Sequence, residues 1–105
     1  MTTTSASQGY RTINPATGEL LKSFDNATDQ QIADALDASQ AAYEQWSRKS
    51  VAERAAVVKR ISELLAERSK DIAAVITTEM GKSLGAAVGE VRYSAQIFGY
   101  YADEA

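Results

Sequence analysis

From Thr28 onward nearly every stretch of this sequence carries a helix signal, which leaves room for only one small pair of strands. Thr28 with Gln31, and Ser50 with Glu53, both fit the capping box. In that motif the first side chain accepts an orphan amide proton and the fourth reaches back to the cap's own N–H. The two boxes predict helices from about 29 to 47 and from about 51 to 68. Apolar spacing agrees, with Ile32, Leu36, Ser39, Tyr43 and Trp46 on one stripe and Val57, Val58, Ile61, Leu64 and Leu65 on the other. Ser69 and Asp71 open a third helix, over about 70–80, and Gly81 suits its left-handed C-terminal cap. A fourth runs from about 83 to 104.

Residues 10–25 read as a β-hairpin. Pro15 fixes φ where a turn begins and Gly18 can take the positive φ that closes a short loop, while Ile13, Leu20, Leu21 and Phe24 supply strand-type side chains. Two strands alone are marginal in water, so the hairpin must lie against other structure. The fold class is therefore mainly α, an N-terminal β-hairpin followed by four helices.

The fourth helix has two apolar faces. At about 100° per residue, Leu84, Val88, Val91, Ala95, Phe98 and Ala102 line one side, and Tyr93, Ile97 and Tyr100 sit nearly opposite. A surface helix needs one apolar stripe, so the second calls for another layer of protein or a lined cavity. Gly81, Gly85 and Gly89 form a small-residue row suited to close backbone approach. Lys82, Glu90 and Arg92 count against reading that row as a membrane dimer motif.

Composition removes several classes of chemistry. The chain of 105 residues has no Cys and no His, which rules out disulfides, thiolate catalysis, Cys-based zinc sites and imidazole general bases within it. A net charge of -3 and isolated basic pairs, Arg48-Lys49 and Lys59-Arg60, argue against nucleic acid. No apolar run approaches the roughly 20 residues that cross a bilayer, so neither a membrane nor nucleic acid is an expected partner. Met1 to Gly9 is rich in Thr and Ser and reads as a disordered leader, and a cytoplasmic location follows.

Gly81-Lys82-Ser83 looks like the tail of a P-loop, but the first glycine of that pattern would fall at Ile76, and a helix precedes it where a strand is needed. Glu63 with Glu67, and Asp103 with Glu104, are carboxylate pairs on faces that solvent explains. Glu90, between two apolar faces, reads as a buried, hydrogen-bonded structural carboxylate.

Asn14-Pro15-Ala16-Thr17-Gly18-Glu19, then Trp46 and Arg54, then Thr78-Glu79-Met80-Gly81-Lys82, then Glu90 and Tyr100-Tyr101-Ala102 form an ordered set over residues 10–105. In order and spacing the set resembles the N-terminal segment of the NAD(P)-dependent aldehyde dehydrogenase superfamily, nearest its succinate-semialdehyde branch. The resemblance implies an α/β enzyme in which a thiolate, a Rossmann-type dinucleotide site and an oxyanion hole lie downstream of this segment. It thus implies NAD or NADP for the intact enzyme and neither catalytic residues nor cofactor-binding residues here. Residues 10–105 would be the N-terminal segment of the cofactor-binding domain, inactive by itself, with the missing catalytic portion as its partner. The resemblance further implies Tyr93 and Ile97 as substrate-tunnel lining, and part of a monovalent-cation site at the backbone oxygens of Thr12 and Ile13 and the side chain of Glu79. The alternative is a free-standing helical interaction module that self-associates through Tyr93, Ile97 and Tyr100.

Overall fold

The structure, a computed structural model, describes residues 9–105. Its elements are β1 (Tyr10–Ile13), β2 (Leu20–Phe24), α1 (Asp29–Trp46), α2 (Val51–Glu67), α3 (Ser69–Met80) and α4 (Leu84–Glu104). β1 and β2 pair antiparallel with Tyr10 opposite Phe24 and Thr12 opposite Lys22, and the register slips between Thr12 and Ile13. Asn14 organises the turn. Its carbonyl accepts from the Gly18 N–H at 2.8 Å, its side-chain oxygen accepts from the Ala16 N–H at 2.9 Å, and Gly18 takes φ +76°. The positive φ is the reason for glycine there.

Both capping boxes form. Thr28 Oγ1 accepts from the Gln31 N–H at 3.1 Å while Gln31 Oε1 accepts from the Thr28 N–H at 2.9 Å. Ser50 Oγ and Glu53 do the same for α2, at 3.1 and 2.9 Å. The start of α3 differs from the sequence expectation. Ser69 and Asp71 do not cap it; the helix begins at Ser69 itself after a one-residue break at Arg68, with no side-chain cap bond. Continuity accounts for this. The Arg68 N–H still bonds to the Leu64 carbonyl and its own carbonyl takes the Ile72 N–H, so α2 runs almost directly into α3 with few orphan amides to satisfy. Gly81 closes α3 at φ +78°, in the left-handed region.

α4 lies across α2 and α3, and these contacts contain most of the packing between helices. The core is small: Ala73 of α3 with Ala87 and Val91 of α4, supported by Leu65, Ile72, Ile76 and Val88. Two close approaches set the α2–α4 spacing. Ser62 donates to the Ala95 carbonyl at 2.7 Å, and a Cβ on Gly99 would stand 3.1 Å from Ser62 Oγ. Leu84 and Phe98, expected on this face, are 54% and 37% exposed, because the buried line runs through Ala87, Val91 and Ala95, where short side chains let the helices close. The small-residue row does not act as a unit. Gly85 and Gly89 meet nothing within 4 Å among the described residues, whereas Gly81 abuts Pro15.

The assembly is a slab of 59 × 40 × 15 Å, barely more than one helix thick. Its radius of gyration is 19.0 Å, against roughly 13 Å for a compact chain of about 100 residues. α1 has no extended interface with any other helix among the described residues. Its stripe is real but uncovered: Ile32, Leu36, Tyr43 and Trp46 are all exposed. No helix is long and apolar enough to cross a membrane among the described residues. The leader assigned to Met1–Gly9 lies outside the described residues except for Gly9.

Candidate functional site

Three surfaces carry the residues singled out from the sequence. The first is the outer face of α4. Tyr93, Gln96, Ile97, Tyr100 and Tyr101 bound an open concavity of about 390 Å³. Tyr100 and Tyr101 meet edge to face with ring centroids 5.3 Å apart, which stiffens one end of it. The helix places these side chains away from the core because Ala87, Val91 and Ala95 occupy the opposite side. Tyr93 and Ile97 are therefore brought together on a surface, with Tyr100 one turn further along.

The second surface joins the hairpin to the end of α3. Leu21 of β2 faces Ala74, Val75, Thr78 and Glu79 across a concavity of about 300 Å³. A Cβ on Gly81 would lie 3.1 Å from Pro15 Cγ, so the hairpin turn is seated on the α3–α4 turn. Glu79 thus stands beside β2, while Thr12 and Ile13 belong to β1. The Thr12 hydroxyl is buried with no hydrogen-bond partner, as are Thr77 Oγ1 and Arg54 Nε. Nothing in the sequence pattern pointed to these atoms. Leaving a buried polar group unsatisfied costs about 1–3 kcal/mol. Among the described residues no group of three or more Asp, Glu, His or Cys side chains is placed to hold a metal.

The third surface is the uncovered stripe of α1, where Ser39, Ala42, Tyr43, Gln45, Trp46 and Lys49 bound an open depression of about 540 Å³.

Two electrostatic expectations are settled by the geometry. Glu90 is not a buried structural carboxylate. Its side chain is 51% exposed and pairs with Lys82, which reaches it from the turn preceding α4. Lys82 is thereby engaged within the chain, Gly81 caps the end of α3, and Ser83 precedes α4 with no side-chain cap bond. The only sheet among the described residues is the two-stranded hairpin, so they supply no strand–turn–helix site for a dinucleotide. Glu63 and Glu67 both pair with Arg60, at 3.1 and 3.3 Å, and Asp103 pairs with Lys59 at 2.9 Å; these carboxylates belong to surface ion pairs. Arg60 is held above its ordinary value by Glu63 first and Glu67 second. Glu53 is held below the usual carboxylate range, chiefly by the Ser50 backbone N–H in the capping box.

A sequence profile of the aldehyde dehydrogenase family matches residues 2–105. The chain belongs to the aldehyde dehydrogenase family. Within that family the similarity runs to the succinate-semialdehyde branch. The NADP(+) succinate-semialdehyde dehydrogenase of Deinococcus radiodurans is 40% identical over 95 residues, covering 90% of this chain and 20% of the relative. The mitochondrial succinate-semialdehyde dehydrogenase of Arabidopsis thaliana is 39% identical over 92 residues, covering 88% and 17%. The crystal structure of the Streptococcus pyogenes succinic semialdehyde dehydrogenase in complex with NADP+ superposes with a TM-score of 0.85 at 38% identity, over 90% of this chain and 21% of that one. The hairpin and four helices are thus a portion of the aldehyde dehydrogenase fold. The chain spans about a fifth of the length of the curated relatives it matches.

Proposed function

We propose that this chain is the N-terminal segment of the cofactor-binding domain of an NAD(P)-dependent aldehyde dehydrogenase acting on succinate semialdehyde or a close homologue. The similarity to succinate-semialdehyde dehydrogenases over nine-tenths of the chain carries the reading. Oxidation of an aldehyde by this class needs a nucleophile, an oxyanion site and a bound nicotinamide that accepts hydride. The 105 residues contain no cysteine, and the sheet among the described residues is a two-stranded antiparallel hairpin. The contribution of this segment is therefore positional. The slab forms an outer layer whose uncovered faces on α1 and α4 pack against the catalytic portion.

Within that reading Tyr93 and Ile97 line the substrate tunnel, since they bound the concavity on the α4 face that the slab leaves open. The Thr12 and Ile13 backbone oxygens and the Glu79 carboxylate supply part of a monovalent-cation site. In support, Glu79 makes no ion pair among the described residues, and oxygen ligands suit hard cations.

Calorimetric titration of the purified chain with NAD+ and with NADP+ tests its lack of independent competence. The expected result is no saturable heat with either dinucleotide and no oxidation of succinate semialdehyde. Saturable binding would overturn the assignment of a purely positional role.

A further inference from the structure

Arg54 stands in the first turn of α2, where a cation fits least. That end of a helix carries the positive pole of its dipole and favours an acidic residue. α2 has one beside it, Glu53, but the Glu53 carboxylate turns back to the Ser50 N–H in the capping box. Of the two half-buried cations among the described residues, Lys82 pairs with Glu90, whereas Arg54 has neither an ion pair nor a side-chain hydrogen bond. Its Nε is buried with no acceptor. A buried N–H without a partner is costly, and more so on a charged group. The Lys59–Asp103 pair and the Ser62–Ala95 bond run α2 antiparallel to α4, so the first turn of α2 lies toward the C-terminal end of α4. Asp103 there is held by Lys59 at 2.9 Å, and Glu104 forms no ion pair among the described residues.

We propose that Arg54 is the fixed half of an ion pair that docks this segment, and that its partner is a carboxylate on the catalytic portion of the enzyme. The proposal rests on the reading of the chain as a segment of a longer dehydrogenase, of which the matched residues make up 20% in the Deinococcus radiodurans relative. A carboxylate supplies what this guanidinium lacks: a full negative charge, and two oxygens that match its planar fork. A backbone carbonyl offers one oxygen and no charge. The stem of Arg54 is already held, since Ala55 and Val58 beside it on α2 are also half-buried. Little side-chain freedom is then left to lose on pairing.

Arg54→Met tests this, because the substitution has opposite effects with and without the partner. In the 105-residue chain Met removes a desolvated, unpaired charge and keeps an apolar stem of equal helix propensity. The urea midpoint is therefore unchanged or higher. In a chimera of the Deinococcus radiodurans relative that carries this segment in place of the aligned 95 residues, the same substitution leaves the carboxylate unpaired and lowers the melting temperature by a few degrees. Arg54→Lys, which keeps the charge, retains more of the chimera's stability than Arg54→Gln, which keeps only a donor. A lowered urea midpoint in the 105-residue chain, an unchanged melting temperature in the chimera, or equal retention by Lys and Gln would overturn the proposal; activity of the parent chimera would leave the dehydrogenase reading standing. A parent chimera that does not fold would remove that reading and the proposal together.

Discussion

Gly81 and Gly85 are four residues apart, and the structure predicts opposite outcomes when each becomes alanine. Gly81 sits at φ +78°, where an added Cβ meets the carbonyl of its own residue. The left-handed conformation costs an alanine roughly 1–2 kcal/mol. The new Cβ would also stand 3.1 Å from Pro15 Cγ, so the hairpin turn must shift by a few tenths of an ångström. Against this, Gly→Ala restricts the unfolded chain, an effect worth roughly 0.4–1 kcal/mol in the other direction. The net expectation for Gly81→Ala is a loss of about 1–2 kcal/mol, seen as a fall in melting temperature of roughly 5–10 °C for a domain of this size. Gly85 lies inside α4 with nothing within 4 Å, so Gly85→Ala is expected to stabilise by about 0.5–1 kcal/mol. Urea titrations followed by circular dichroism, at a concentration where the chain is monomeric, measure both. Equal effects of the two substitutions, or a neutral Gly81→Ala, would refute the argument that the Pro15–Gly81 seat and the left-handed cap hold the hairpin to the helices.

Further predictions concern the helix ends and the α2–α4 contact. Glu53 has its folded value depressed, so its capping contribution is fully present above the ordinary carboxylate value and is lost as pH falls through the lower folded value. The Ser50 amide resonance should therefore move on acidification below about pH 4, while the Thr28 amide, capped by neutral Gln31, stays put. Ser62→Ala removes a partly buried donor to the Ala95 carbonyl and is expected to lower stability by about 1 kcal/mol by urea titration. Lys59→Met breaks an exposed pair with Asp103 and should change the midpoint little, by under about 1 kcal/mol.

The parts of this fold that were legible in the sequence are those fixed by local chemistry. Thr28, Ser50 and Gly81 declare helix ends because the groups that satisfy them lie within four residues, and Gly18 declares a turn because only its φ allows one. Tyr93, Ile97 and Tyr100 were readable as a second face because helical period alone separates them from Val91 and Ala95. What failed depends on tertiary placement. Glu90 looked buried because it adjoins two apolar faces, yet its side chain is half-exposed and pairs with Lys82 eight positions earlier, in the turn before α4. The seat of Pro15 on Gly81 joins segments more than sixty positions apart, and the burial of the Thr12 hydroxyl without a partner is likewise a product of tertiary packing. Ser69 resembled a cap because its type is right, but the near-continuity of α2 and α3 removes the need for one. The α1 stripe was read correctly as apolar, but helical period does not report whether other elements cover it, and Ile32, Leu36, Tyr43 and Trp46 are exposed.

The proposed role of this segment is that of a positional layer in a succinate-semialdehyde-type dehydrogenase. Its most direct test replaces the aligned 95 residues of the Deinococcus radiodurans relative with the matching residues of this chain and measures NADP+-dependent oxidation of succinate semialdehyde. The expected result is a soluble chimera that turns over this substrate, with KM raised more than kcat is lowered when Tyr93→Ala or Ile97→Ala is introduced. A chimera that folds and binds NADP+ yet oxidises no aldehyde would contradict it.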